Sequence, residues 1–144
     1  MSWRDAPLYV EAHDLARWIV QRTHGWSSGE DRQLATLVVG HACEILTTVS
    51  LALTFPATRA RHLETADHGI VRLRVLLRLA RDVELLSAGG LRFASGRLRV
   101  MGRMIGGWRK RLKAARPGPG KERPARRVLA QRASGDGLPA ARTA

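Results

Sequence analysis

The chain has 144 residues, 44% of them apolar, which is enough to bury the core of one domain. A single cysteine, Cys43, excludes an internal disulfide and is typical of a reducing compartment. The formal net charge is +13, and residues 1–84 contribute none of it because their ten arginines balance ten acids. The excess lies in the last 60 residues, so we expect a polyanionic partner, of which nucleic acid is the commonest.

The N-terminal stretch predicts one helix and no signal peptide. Charges stand among the first residues, where a signal peptide needs an apolar stretch, and this favours a cytoplasmic protein. Apolar residues recur at steps of three and four from about Leu8 to Thr23, and Pro7 suits the first turn. The helix is predicted to end at the glycine- and serine-rich run 25–29. Its expected buried residues are Leu8, Ala12, Leu15 and Ile19.

A second helix is predicted to begin near Glu30 or Asp31, either of which can cap it. It is predicted to end at Pro56. The segment 34–55 holds one formal charge, Glu44, and a carboxylate near the centre of a bilayer costs about 2.5–3.5 kcal/mol. We therefore interpret the segment as a central core helix and not as a membrane span. Its expected inner residues are Leu34, Leu37, Val38, His41, Ile45, Val49 and Ala52.

Two more helices follow in the sequence. The third is predicted over about 59–86, with apolar residues at the spacing of a bundle seam. Its expected buried residues are Leu63, Ala66, Ile70, Leu73, Leu77 and Ala80, and Leu76, Leu79 and Val83 widen the stripe toward a further neighbour. Ser87 is the expected N-cap of the fourth helix. The fourth helix is predicted to bury Leu91, Ala94, Leu98, Met101, Ile105, Trp108 and Leu112.

These elements predict an all-α fold, an antiparallel four-helix bundle over residues 1–115. Residues 116–144 contain four of the six prolines, four glycines and seven bases. Such a composition buries too little apolar surface to offset the entropy of ordering the chain. The sequence therefore predicts a disordered basic C-terminal tail over 116–144.

The fourth helix carries a row of cations opposite its core residues. At 100° per residue, the four members fall within about 40° of one another and span roughly 27 Å. A solvated helix face normally mixes acids with bases, but residues 85–121 hold ten bases and no acid. We therefore predict that the row contacts phosphates, which gives affinity without sequence information. The row consists of Arg92, Arg99, Arg103 and Lys110, and Arg74, Arg78 and Arg81 of the third helix are predicted to add to it.

Three glycines lie inside the fourth helix, just before Trp108. Gly102, Gly106 and Gly107 each cost about 1 kcal/mol relative to alanine, so their presence needs a reason. Gly102 and Gly106 fall between the core side and the cationic row, where a missing side chain lets another backbone approach. We interpret the three as an oligomer or partner contact. The alternative is that Gly106 and Gly107 fray or end the helix.

The polar residues do not assemble a catalytic site. His41 with Glu44, and Glu64 with His68, have the spacing of paired metal ligands on one helix. A metal site in a bundle, however, draws ligands from facing helices, and the first and fourth helices offer no facing set. We expect no enzyme activity, no metal and no cofactor, and we expect His41 to be a buried histidine with its hydrogen bonds satisfied.

The segment from Ile70 to Lys110 resembles a known family. Residues 73–87 read LRVLLRLARDVELLS, and residues 101–110 read MGRMIGGWRK. They are similar to the four-helix-bundle family that includes the accessory variability determinant of diversity-generating retroelements, whose members typically read LRLxLRLAxDLxLLS and EIGRMLGGWLK. Residues 7–9 and 14–18 are similar to the family's first helix, so the likeness covers about 7–112. One departure is Val100, where the family has an acid.

The resemblance implies a non-enzymatic, basic homopentamer that binds RNA or DNA and associates with the retroelement reverse transcriptase. It would support mutagenic copying of template RNA into cDNA and retrohoming, with no membrane partner. The matching basic positions are Arg74, Arg78, Arg81, Arg103 and Lys110.

Two other interpretations stay open. A related branch of the family is encoded in intervening sequences of ribosomal RNA genes, and the bundle sequence separates the two branches poorly. A peripheral adaptor for anionic membranes or acidic proteins would use the same charge, although the tail has few bulky apolar residues for anchoring.

Overall fold

The computed structural model describes residues 2–116, which contain helices and no strand, so the all-α prediction is confirmed. The four long helices are α1 (Pro7–Arg22), α2 (Gly29–Thr54), α3 (Arg59–Asp82) and α4 (Ala88–Ala115). Short 3-10 turns precede α1 and join α1 to α2 and α2 to α3. The predicted tail lies outside the described residues apart from Arg116. Residues 1–110 form one unit, which contains all the contacts below.

The core consists of the inner faces of the helices. α2 packs against both α1 and α3, and the apolar face of α4 is buried as well. Every residue of the predicted α3 seam is buried, as are the four residues predicted for α1. A spacing of three and four residues therefore identified the buried faces of α1 and α3 correctly.

Three details of α2 and α4 differ from the predictions. The N-cap of α2 is Ser28, whose hydroxyl donates to the Asp31 carboxylate at 2.6 Å, so the predicted capping by Glu30 or Asp31 is wrong. Leu37 was expected inside but is 51% exposed, and Leu34 is half-buried. In α4, four of the seven predicted core residues are buried, whereas Leu91, Trp108 and Leu112 are half-buried.

The end of α3 comes at Asp82, four residues before the predicted end at Leu86. Glu84 adopts a left-handed conformation with φ of 65°, and the Leu85 N–H donates to the Ala80 carbonyl at 2.9 Å. This is the hydrogen bond of a Schellman C-cap, which usually has glycine at the left-handed position. The chain then turns directly into α4, where the Ser87 hydroxyl accepts from the Gly90 N–H at 2.9 Å. The predicted cap at Ser87 is confirmed.

Among residues 2–116, α2 is the one helix that is long and apolar enough to cross a membrane by length and composition. Core helices share both properties, and the buried residues of α2 face α1 and α3. Length and composition thus do not identify a membrane span here.

Candidate nucleic-acid interface

The four cations of the α4 row are all exposed. Arg92, Arg99, Arg103 and Lys110 lie on the side of α4 away from its buried residues. Within residues 2–116, the arginine ion pairs use Arg78, Arg97 and Arg109, and leave the row without a carboxylate partner. The row therefore presents four uncompensated positive charges to solvent along one edge of the helix.

Two other arginines of α4 are neutralised by neighbouring helices. Arg97 Nη1 lies 3.2 Å from Glu11 Oε1 of α1, and Arg109 Nη1 donates to Asp67 Oδ2 of α3 at 2.9 Å. Both pairs join residues on different helices, 86 and 42 positions apart in the sequence, so they position α4 as well as cancel charge. The acid-free run of the sequence thus contains two kinds of cation. Some pair with a carboxylate on another helix, and others are exposed and can bind an anionic partner.

The α3 cations are only partly joined to the row. Arg74, Arg78 and Arg99 line one open groove between α3 and α4, about 640 Å³ in volume, together with Val75, Leu91 and Ser95. No carboxylate lines this groove, which we call the α3–α4 groove.

Arg81 lies outside the α3–α4 groove, next to acidic residues. It is half-buried and lines a second pocket together with Asp82 and Glu84. Arg78 borders this pocket too, and its Nε lies 3.8 Å from Asp82 Oδ1. Of the three predicted α3 cations, Arg78 and Arg81 therefore lie beside acids, and Arg74 lies in the α3–α4 groove without one.

Two of the three glycines near Trp108, Gly102 and Gly106, have no packing role among residues 2–116. Gly106 is exposed, and Gly102 and Gly107 are half-buried. A Cβ added to Gly102 or Gly106 would meet no atom within 4 Å. The helix also continues to Ala115, so the alternative that these glycines end it is wrong.

The remaining titratable groups form no cluster. Among the described residues, no group of three or more His, Cys, Asp or Glu side chains is arranged to hold a metal ion. His41 is half-buried, and its Nδ1 is enclosed without a hydrogen-bond partner in residues 2–116, 3.5 Å from Glu44 Oε2. The prediction of a satisfied buried histidine is therefore wrong.

The N-terminal half of an exposed apolar ridge on α3 was not predicted from the sequence. Val71, Val75, Leu79 and Val83 are 58%, 63%, 47% and 52% exposed. Leu76, Leu79 and Val83 were predicted to pack against a further neighbour, but among residues 2–116 Leu79 and Val83 are exposed and Leu76 is half-buried. The signal for the other two was present, because Val71 and Val75 lie on the opposite side of α3 from its seam.

No protein-family model, curated protein or solved structure matches the chain. The binding chemistry of the surface is therefore inferred from the side chains that form it. Guanidinium and ammonium groups donate hydrogen bonds to phosphate oxygens and keep their charge, and guanidinium in particular does not act as a base. The arrangement suits binding of a polyanion.

Proposed function

We propose that the protein is a non-enzymatic, nucleic-acid-binding accessory protein of a diversity-generating retroelement. The observation that carries nucleic-acid binding is the α4 row, four exposed cations without carboxylate partners in residues 2–116. Because the row is roughly 27 Å long, it can follow several successive phosphates. A row of charges of this kind gives affinity for phosphates and does not distinguish one base sequence from another.

The fold that supports this function is, in our proposal, an antiparallel four-helix bundle. Glu11 of α1 contacts Arg97 of α4, and Trp18 lies 4.9 Å from Phe93 between ring centroids. Residue numbers thus rise along α1 while they fall along α4. The neighbours across α3 and α4 follow the same order, from Arg59 over Trp108 to the α3–α4 groove that Val75 and Leu91 both line.

The retroelement assignment rests on the sequence of α3 and α4. Residues 73–87 and 101–110 resemble the accessory variability determinant, and Arg74, Arg78, Arg81, Arg103 and Lys110 match its basic positions. From this we propose template RNA or cDNA and the reverse transcriptase as partners, and a homo-oligomer that the resemblance makes a pentamer. Gly102, Gly106 and Gly107 are the proposed oligomer contact, since no packing inside the described chain requires Gly102 or Gly106 to lack a side chain.

Two other functions would use the same surface. A bundle of the ribosomal intervening-sequence branch would bind RNA through the row without a reverse transcriptase. An adaptor for anionic membranes would bind lipid headgroups through the same cations. Genes beside the coding sequence separate the first, because a reverse transcriptase with paired template and variable repeats is expected only for the retroelement.

Binding measured against salt separates the second alternative. The purified chain would be titrated with a fluorescein-labelled single-stranded RNA and with phosphatidylserine vesicles, each over a range of NaCl. We expect RNA binding whose log K falls with log salt by about 0.7 for each phosphate contacted. Vesicle binding without RNA binding would contradict the proposal.

A further inference from the structure

An exposed apolar stripe runs along the C-terminal half of α3 and ends one residue past the helix. Val71, Val75, Leu79 and Val83 follow one another at steps of four residues and form one ridge about 18 Å long. Single exposed apolar residues are ordinary, but a contiguous ridge marks an interaction surface. A phosphate backbone has no apolar group that would gain by covering it.

The ridge borders the α3–α4 groove, and the two surfaces share Val75. The apolar part of the groove is Val75 and Leu91, while Arg74, Arg78 and Arg99 supply the charge. A ridge at four-residue steps packs into the groove between side chains of another helix. From these features we propose that the α3–α4 groove and its ridge bind an amphipathic helix of a partner protein with an apolar stripe flanked by carboxylates.

The charge of the groove argues against occupants from this chain. Residues 117–144 hold six bases and two acids, so this segment would be repelled by the three arginines. A second copy that docked by the same face would place arginine against arginine, which costs free energy. An acidic helix is complementary to the α3–α4 groove, where Val75 and three arginines lie without a carboxylate, and Asp82 and Glu84 border only the Val83 end of the ridge. This complementarity commits the proposal to a helix of a different protein.

This inference goes beyond the proposed nucleic-acid function and divides the positive surface in two. The outer row of α4, of which only Arg99 lines the α3–α4 groove, serves phosphates. The α3–α4 groove serves a protein helix, and Arg99 lies at the border of both. The two activities should therefore respond to different substitutions.

The test uses a synthetic probe of stated chemistry. It is a fluorescein-labelled 18-residue peptide of Leu, Ala and Glu, with Leu at helical spacing on one stripe and Glu on both flanks. A scrambled peptide of the same composition has the same charge and no stripe. We expect the full chain to bind the striped peptide, and to bind the scrambled one at least tenfold more weakly because burial of the stripe is lost, an effect on the order of 1.4 kcal/mol. Equal binding of both peptides would overturn the proposal.

Substitutions then locate the site. Val75→Ser removes an exposed apolar group, so the fold is retained while affinity for the striped peptide falls about tenfold. Val10→Ser is the matched control, because Val10 is also an exposed valine but lies on α1. RNA affinity should be the same in both variants. Unchanged peptide binding in Val75→Ser overturns the proposal.

Two further outcomes would replace the proposed occupant. Loss of RNA affinity in Val75→Ser would show that the groove takes nucleic acid, and dissociation of an oligomer in that variant, seen by light scattering, would show that a second copy takes it. Failure of the row to bind RNA in wild type would contradict the proposed function and leave the peptide result standing.

Discussion

The guanidinium of Arg59 lies over the indole of Trp108, 4.8 Å from the ring centroid, while its Nε donates to the Ala52 carbonyl at 2.7 Å. One side chain at the start of α3 thus satisfies a carbonyl at the end of α2 and packs on α4. Arginine combines these roles because its planar group can stack and donate at once. This contact fixes the end of the molecule where the chain passes from α2 to α3.

We expect Arg59→Ala to lower the free energy of unfolding by about 1–3 kcal/mol, from the lost cation–π contact and the unpaired Ala52 carbonyl. Arg59→Lys should recover only part of this, because an ammonium group lacks the planar fork. Arg61→Ala, at an exposed arginine two residues further along the same turn, is the control and should change stability by less than about 0.5 kcal/mol. Urea denaturation followed by circular dichroism measures all three. Equal stability of Arg59→Ala and Arg61→Ala would show that the contact is not formed in solution.

The ion pair between Asp67 and Arg109 predicts that Arg109 contributes little to RNA binding. Both side chains are about one-third exposed, so a double-mutant cycle with alanine at each position should give a coupling of about 0.5–1 kcal/mol. In RNA binding, Arg103→Ala should reduce the slope of log K against log salt by about 0.7, while Arg109→Ala leaves it unchanged. Equal losses in the two variants would mean that the pair opens to bind RNA.

The left-handed conformation of Glu84 predicts a stabilising substitution. A side chain in this region costs about 1 kcal/mol that glycine avoids. Glu84→Gly should therefore raise the midpoint of thermal unfolding, and Glu84→Gln should not, because it removes the charge and keeps the side chain. A gain in Glu84→Gln alone would assign the effect to charge.

Two glycines inside helices predict opposite responses to alanine. At Gly40 an added Cβ would meet nothing within 4 Å, so Gly40→Ala should stabilise α2 by up to about 1 kcal/mol. At Gly69 the added Cβ would lie 2.9 Å from Cγ1 of the buried Ile45, where α3 meets α2. Overpacking of this kind costs about 1–3 kcal/mol, so Gly69→Ala should be the less stable of the two. The reverse order in urea denaturation would contradict the close approach of α2 and α3.

The glycines near Trp108 predict a variant that separates assembly from folding. Gly106→Leu adds a bulky group to an exposed position, so the helical signal should be retained while the proposed oligomer dissociates. Gly106→Ala adds one methyl group and should perturb assembly less. Light scattering measures both, and an unchanged oligomer in Gly106→Leu would remove these glycines from the interface.

The predictions from sequence succeeded where one periodic pattern decides the outcome. The seam from Leu63 to Ala80 repeats at three and four residues, and burial follows directly from that spacing. The same pattern predicted too long an α3, because a glutamate in the left-handed conformation leaves no glycine signal at the helix end. Local patterns thus predicted which faces of the helices are buried and did not predict the backbone turn at Glu84.

The candidate site was predicted less completely because charge pairing depends on tertiary contacts. Arg92 and Arg97 look alike in the acid-free run, but only Arg97 faces a carboxylate, Glu11 of α1. The spacing of residues in α4 does not specify which helix packs against each of its sides. The predicted row is exposed as expected, and its binding role stays a prediction.

The most direct test of the central claim is RNA affinity at low salt for the full chain and for a variant with the row reversed, Arg92→Glu, Arg99→Glu, Arg103→Glu and Lys110→Glu. All four side chains are exposed, so circular dichroism should show unchanged helix content. We predict that wild type binds single-stranded RNA with a salt-dependent affinity and that the variant does not bind. Wild-type affinity in the variant would contradict the account and assign binding to the basic segment after Ala115.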